Sequence, residues 1–93
     1  MSKLPDSVKK ILHQEIEKVT DDLIHFPDFM EKITNIIERV YGKNSPESNK
    51  IYNINEKNIE QQMEKWKNFG IFDPISSMRS ALKETIIFLK SLQ

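Results

Sequence analysis

The sequence predicts an all-α protein, a compact bundle of four to five helices in one domain, and three observations carry that prediction. Apolar residues recur at spacings of three and four, and no segment shows the period-two alternation of a strand. Proline stands only at positions 5, 27, 46 and 74, where helices can begin, and glycine only at 42 and 70, where they can end. The 93 residues carry 38% hydrophobics and no cysteine, so one core must form without disulfides or thiolate-bound metal.

The first helix is expected near residues 5–25. Val8, Ile11, Leu12, Ile16, Val19 and Leu23 fall on one face. Asp21 and Asp22 oppose the helix dipole at the far end, so the last turn is expected to fray ahead of Pro27. The second helix is expected near 28–41, with Phe29, Ile33, Ile36, Ile37 and Val40 as its stripe and Gly42 as its left-handed terminator. Ser45-Pro46-Glu47 reads as an N-cap, a proline at the first helical position and a first-turn acid. A short helix near 46–53 should follow.

The asparagine-spotted stretch from Asn53 to Asn58 predicts a break, because asparagine side chains compete for backbone hydrogen bonds. Helical spacing resumes through Ile59, Met63, Trp66 and Phe69, which predicts a helix near 56–69. Glu56, Glu60 and Glu64 form a like-charged row there, costing a few tenths of a kcal/mol per pair in an isolated helix. Asp73-Pro74 opens the final helix, expected near 74–92. Its stripe of Ile75, Met78, Leu82, Ile86 and Leu89 is widened by Ala81, Ile87, Phe88 and Leu92. So wide a stripe implies a central core helix or one that also meets a partner.

The inventory for catalysis is poor. His13 and His25 are twelve residues apart, which on one helix places them about 120° apart around the axis. No metal-ligand spacing, activated serine motif or glycine-rich phosphate loop occurs. No catalytic residue, metal site or cofactor is therefore expected. Fourteen basic residues balance fourteen acidic ones, giving no overall attraction to nucleic acid or anionic lipid. The longest apolar run is Ile86-Ile87-Phe88-Leu89, too short to span a bilayer, and no signal-peptide stretch follows Met1. A cytoplasmic protein is expected. Ser76, Ser77, Arg79 and Ser80 start the last helix and suit an anion, but Asp73 as the cap opposes one.

Trp66, Phe69 and Phe72 alternate with Lys65 and Lys67, which superficially suits single-stranded nucleic acid. The adjacent acidic row argues against that use. An aromatic cluster of this kind more commonly belongs to a core; outside one, a protein interface is favoured over nucleic acid.

The run from Phe29 through Tyr41-Gly42-Lys43-Asn44-Ser45-Pro46-Glu47, with Ala81-Leu82-Lys83-Glu84 in the last helix, resembles a known kind of module. It is similar to small helical modules found beside nucleotide-binding or TIR-like effector domains in bacterial antiphage and stress proteins. The resemblance covers residues 26–50 and 70–92 and implies a role in interaction, sensing or assembly rather than catalysis. Thirteen isoleucines, twelve lysines and seven asparagines, all residues of A/T-rich codons, fit a bacterial or phage source. The leading expectation is a non-enzymatic interaction domain that binds a protein partner or forms a homodimer through Trp66, Phe69, Phe72, Ile87, Phe88 and Leu92. The alternative is a small nucleic-acid-binding or phage-encoded regulatory protein touching its ligand through Lys65 and Lys67.

Overall fold

A computed structural model describes residues 4–93, which form four α-helices and no strand. α1 spans Asp6–Asp21, α2 Phe26–Tyr41, α3 Pro46–Phe69 and α4 Pro74–Ser91, with one 3₁₀ turn at Leu23–His25. Helices adjacent in sequence are also adjacent in space, and the 3₁₀ turn touches α1, α2 and α4. The result is an all-α bundle measuring 45 × 29 × 18 Å.

The prolines and glycines mark boundaries as expected. Pro46 follows the cap Ser45, whose hydroxyl accepts the Ser48 amide at 3.1 Å. Asp73 caps α4 by accepting the Ser76 amide at 3.2 Å. The first helix ends earlier than expected. Asp22 leaves the helix in an extended conformation, and its carboxylate accepts the Ile24 amide at 3.0 Å, which starts the 3₁₀ turn instead. A cap-forming aspartate thus stops the helix four residues short of Phe26, and α2 then begins at Phe26 rather than at 28.

The larger correction concerns residues 46–69. The break expected between helices near 46–53 and 56–69 does not exist, and α3 runs unbroken for 24 residues. Asn53 and Asn55 are exposed, so they cost only their intrinsic propensity, up to about 0.7 kcal/mol each. Ile51 and Ile54 are buried in the core, each gaining roughly 1.5–3 kcal/mol. Burial wins. The third asparagine, Asn58, is itself buried and accepts a hydrogen bond from the Gln62 side chain at 3.3 Å, one turn ahead.

The core collects Leu12 and Val19 from α1, Phe29, Ile33 and Ile37 from α2, Ile51 and Ile54 from α3, and Ala81, Leu82 and Leu89 from α4. Thr85 is fully buried among them. Its hydroxyl donates to the Ala81 carbonyl at 2.7 Å and lies 3.8 Å from the Met30 sulfur, so this hydroxyl is not stranded. Surface ion pairs link Glu15 to Lys32 at 3.1 Å and Lys57 to Glu84 at 3.2 Å.

Both glycines have positive φ, but the left-handed conformation expected of Gly42 is found only at Gly70. Gly70 lies at φ 64°, ψ 22°, the left-handed helical basin, whereas Gly42 lies at φ 99°, ψ 153°. The second combination is close to glycine-only backbone. A side chain would meet nothing within 4 Å at either site, so any cost arises in the backbone alone. Gly42 also presents its carbonyl to the hydroxyls of Ser45 (2.7 Å) and Ser48 (2.6 Å), which fixes the α2–α3 corner. Gly42→Ala should therefore lose about 1–3 kcal/mol, and Gly70→Asn less than about 1 kcal/mol, in urea denaturation followed by helical circular dichroism. Equal losses at both positions would contradict this account of the corner.

Candidate functional site

The 24 residues of α3 rise about 36 Å, while the 16 of α1 and of α2 rise about 24 Å each. The far end of α3 therefore outruns its neighbours. No residue of α3 beyond Asn58 is buried, and the first buried residue of α4 is Ser77. The rest of α3, the connection 70–73 and the first turn of α4 form a two-helix hairpin extending past the core.

That hairpin is apolar on the outside and polar within. Between the helices lie half-buried Gln61 and Lys65 from α3 and buried Ser77 from α4, with exposed Glu64, Asn68, Phe69, Ser76 and Ser80 along the edges of the same open cleft. Lys65 pairs with Asp73 at 3.7 Å across the base of the loop. Ser77 is buried with its hydroxyl making no hydrogen bond. On the outer face, Ile59 is 44% exposed, Met63 66% and Trp66 62%. Together with Phe72 from the connection they line an open groove of about 900 Å³, edged by Gln62, Glu64 and Lys67.

Six residues were expected to form an interface, and they fall in two places. Trp66, Phe69 and Phe72 lie at the hairpin tip, and all three are mostly exposed. Ile87, Phe88 and Leu92 lie towards the other end of α4. From the Lys57–Glu84 pair that sets the two helices in register, Ile87 is about 18 Å from Trp66 along the axis, and Leu92 about 25 Å. Of these three only Ile87 is exposed; Phe88 and Leu92 are half-buried against the core. The wide stripe of α4 is thus largely absorbed inside the bundle.

In the sequence Ile59 and Met63 belong to a helical stripe with no separate role, and Tyr52, which is 62% exposed, falls in an expected short helix. The signal that distinguishes them is on the opposite side of the same helix, where Asn58, Gln61 and Lys65 face α4. Aromatic residues carry about 200 Å² apiece, so Trp66, Phe69 and Phe72 alone leave about 400 Å² in water. Adding Ile59, Met63, Ile71 and Ile75 brings the apolar surface to the order of 800 Å², above the roughly 300–600 Å² of the largest patch on an ordinary monomer.

The other candidates do not assemble into a site. His13 is exposed on α1 and His25 half-buried on the 3₁₀ turn, so the break at Asp22 separates them further. Among the described residues no group of three or more histidine or carboxylate side chains converges, and no helix is long and apolar enough to cross a membrane. The start of α4 already spends its Ser76 amide on Asp73.

Because Met63 and Trp66 are each about two-thirds exposed, Met63→Glu and Trp66→Lys should each change folding stability by less than about 0.5 kcal/mol. Ile54→Ala, in the buried half of the same helix, should cost about 2–5 kcal/mol. Urea titrations of the three variants at a concentration low enough to avoid association measure the contrast; a large loss at Met63 would place it in the core.

Comparisons with protein-family models, with curated proteins and with solved structures return no match.

Proposed function

We propose that this chain is a protein-interaction and assembly domain with no reaction of its own, docking through the outer face of the α3–α4 hairpin. One observation carries the reading: the hairpin turns Ile59, Met63, Trp66 and Phe72 to water while holding polar side chains in its own seam. Met63, Trp66 and Phe72 each leave about two-thirds of their surface in water, and Ile59 nearly half. Large, rigid aromatic groups beside a methionine are the composition of a protein interface, where Trp, Phe and Met are enriched. The surrounding charge is mixed. Glu64 edges the groove beside Lys67, and Lys65 is engaged by Asp73, which favours a protein over a polyanion as the occupant.

The cellular setting is part of the proposal and rests on the resemblance alone. A cytoplasmic bacterial defence or stress system would use such a domain to gather an effector or its regulator.

A photoreactive benzophenone side chain placed at Met63, in cells of the source, tests the docking surface. A discrete protein adduct should form from Met63 and not from exposed Lys43. It should disappear when Trp66→Glu and Phe72→Glu are added. Absence of any adduct at Met63, or a nucleic-acid adduct in its place, would remove the reading.

A further inference from the structure

We infer that the occupant of this face is a second copy of the same chain, packed antiparallel along α3 with Ile59 of one copy opposite Trp66 of the other. The inference rests on the reading above of the outer face as a docking surface, and it names the partner and its register.

The helix itself supplies the first argument. At 100° per residue, Tyr52, Ile59, Met63 and Trp66 fall within an arc of about 60°, centred roughly 120° round from the buried Ile51, Ile54 and Asn58. Their spacings of seven, four and three make a seam of coiled-coil type on a face separate from the core. Tyr52, Ile59, Met63, Trp66 and Phe72 together leave of the order of 600 Å² exposed, at the lower end of the roughly 600–1,000 Å² that one partner contributes to a standard interface.

Charge chooses the direction. Glu56, Lys67 and Glu60 lie within about 40° of one another along one edge of the seam. Among the described residues none of the three forms an ion pair within the chain. In an antiparallel pair each edge meets the same edge of the other copy. With Ile59 opposite Trp66, the two-fold axis passes between Gln62 and Met63, and Lys67 faces the interval between Glu56 and Glu60 of the second copy. The arrangement repeats on the other side of the axis, so both lysines are matched. A parallel pair would set this edge against the neutral Asn55 and Gln62 of the opposite edge and leave all the charges unmatched. The antiparallel register also brings the Phe72 tip beside Tyr52 of the second copy, which accounts for an exposed tyrosine in the second turn of α3.

Light scattering coupled to size exclusion, at high micromolar concentration, should give a species of twice 11.0 kDa. Lys67→Glu alone, and the Glu56→Lys, Glu60→Lys double variant alone, should each raise the dissociation constant at least about tenfold. Mixing the two variants should restore the dimer, since one copy then carries only acids and the other only lysines along the shared edge. The chain has no cysteine, so single replacements report the direction: Tyr52→Cys should not cross-link to its own copy, about 31 Å away, whereas Met63→Cys should. A monomer at high micromolar concentration overturns the second copy as occupant. If Met63 nevertheless forms an adduct with a different protein in cells, the docking surface itself stands. A dimer indifferent to the charge swap, or one cross-linked through Tyr52, overturns the register.

Discussion

The continuity of α3 is the constraint from which the rest of this structure follows. Its first half is held by Ile51 and Ile54, buried against α2 and α4, and its second half simply propagates from there. Adding a residue to an existing helix gains a hydrogen bond at little cost, whereas starting a new helix fixes several residues at once. The polar stretch that looks like a break is therefore carried through as helix. The same continuity takes the chain past the ends of α1 and α2, so the last eleven residues of α3 find only α4 beside them. A helix with one neighbour must expose most of its circumference.

The chemistry of the seam decides which part of that circumference is exposed. Ser77, Ser80 and Ala81 are small, so α4 can approach α3 closely, and the α3 residues facing them are Asn58 and Gln61. The ion pair between Lys57 and Glu84 and the looser one between Lys65 and Asp73 hold the edges, each contributing up to about 1 kcal/mol. Little apolar area is buried in this part of the molecule, and the Ser77 hydroxyl makes no hydrogen bond. The distal hairpin thus has little to lose on opening, and any partner that covers its outer face would stabilise it by mass action.

Boundaries that depend on local chemistry were legible in the sequence. Ser45, Asp73, Gly42 and Gly70 act within a few residues of themselves, and the structure uses them where their side chains or backbone freedom require. Asn53–Asn58 misled because the opposing influence is tertiary: the burial of Ile51 and Ile54 outweighs the local preference of their neighbours. Trp66 and Phe88 show the same limit from the other side. Both belong to helical apolar stripes, and periodicity states only that a face is apolar, not what covers it. Phe88 packs half-buried against the core; Trp66, near the end of α3, does not. Telling them apart requires the lengths of all four helices at once.

The acidic row Glu56, Glu60 and Glu64 becomes intelligible in this light. Among the described residues none of the three forms an ion pair, so the row is a small unfavourable term in the monomer, and it runs beside the exposed stripe of Ile59, Met63 and Trp66. An uncovered stripe of that kind invites association in any register, since burial of apolar surface has no direction of its own. Like charges along its edge penalise the alignments that bring row against row. Lys67, one turn beyond, leaves an alignment in which the edge attracts. If the face pairs with a second copy as proposed, the charge pattern restricts that pairing to few geometries, at a cost of tenths of a kcal/mol in the monomer.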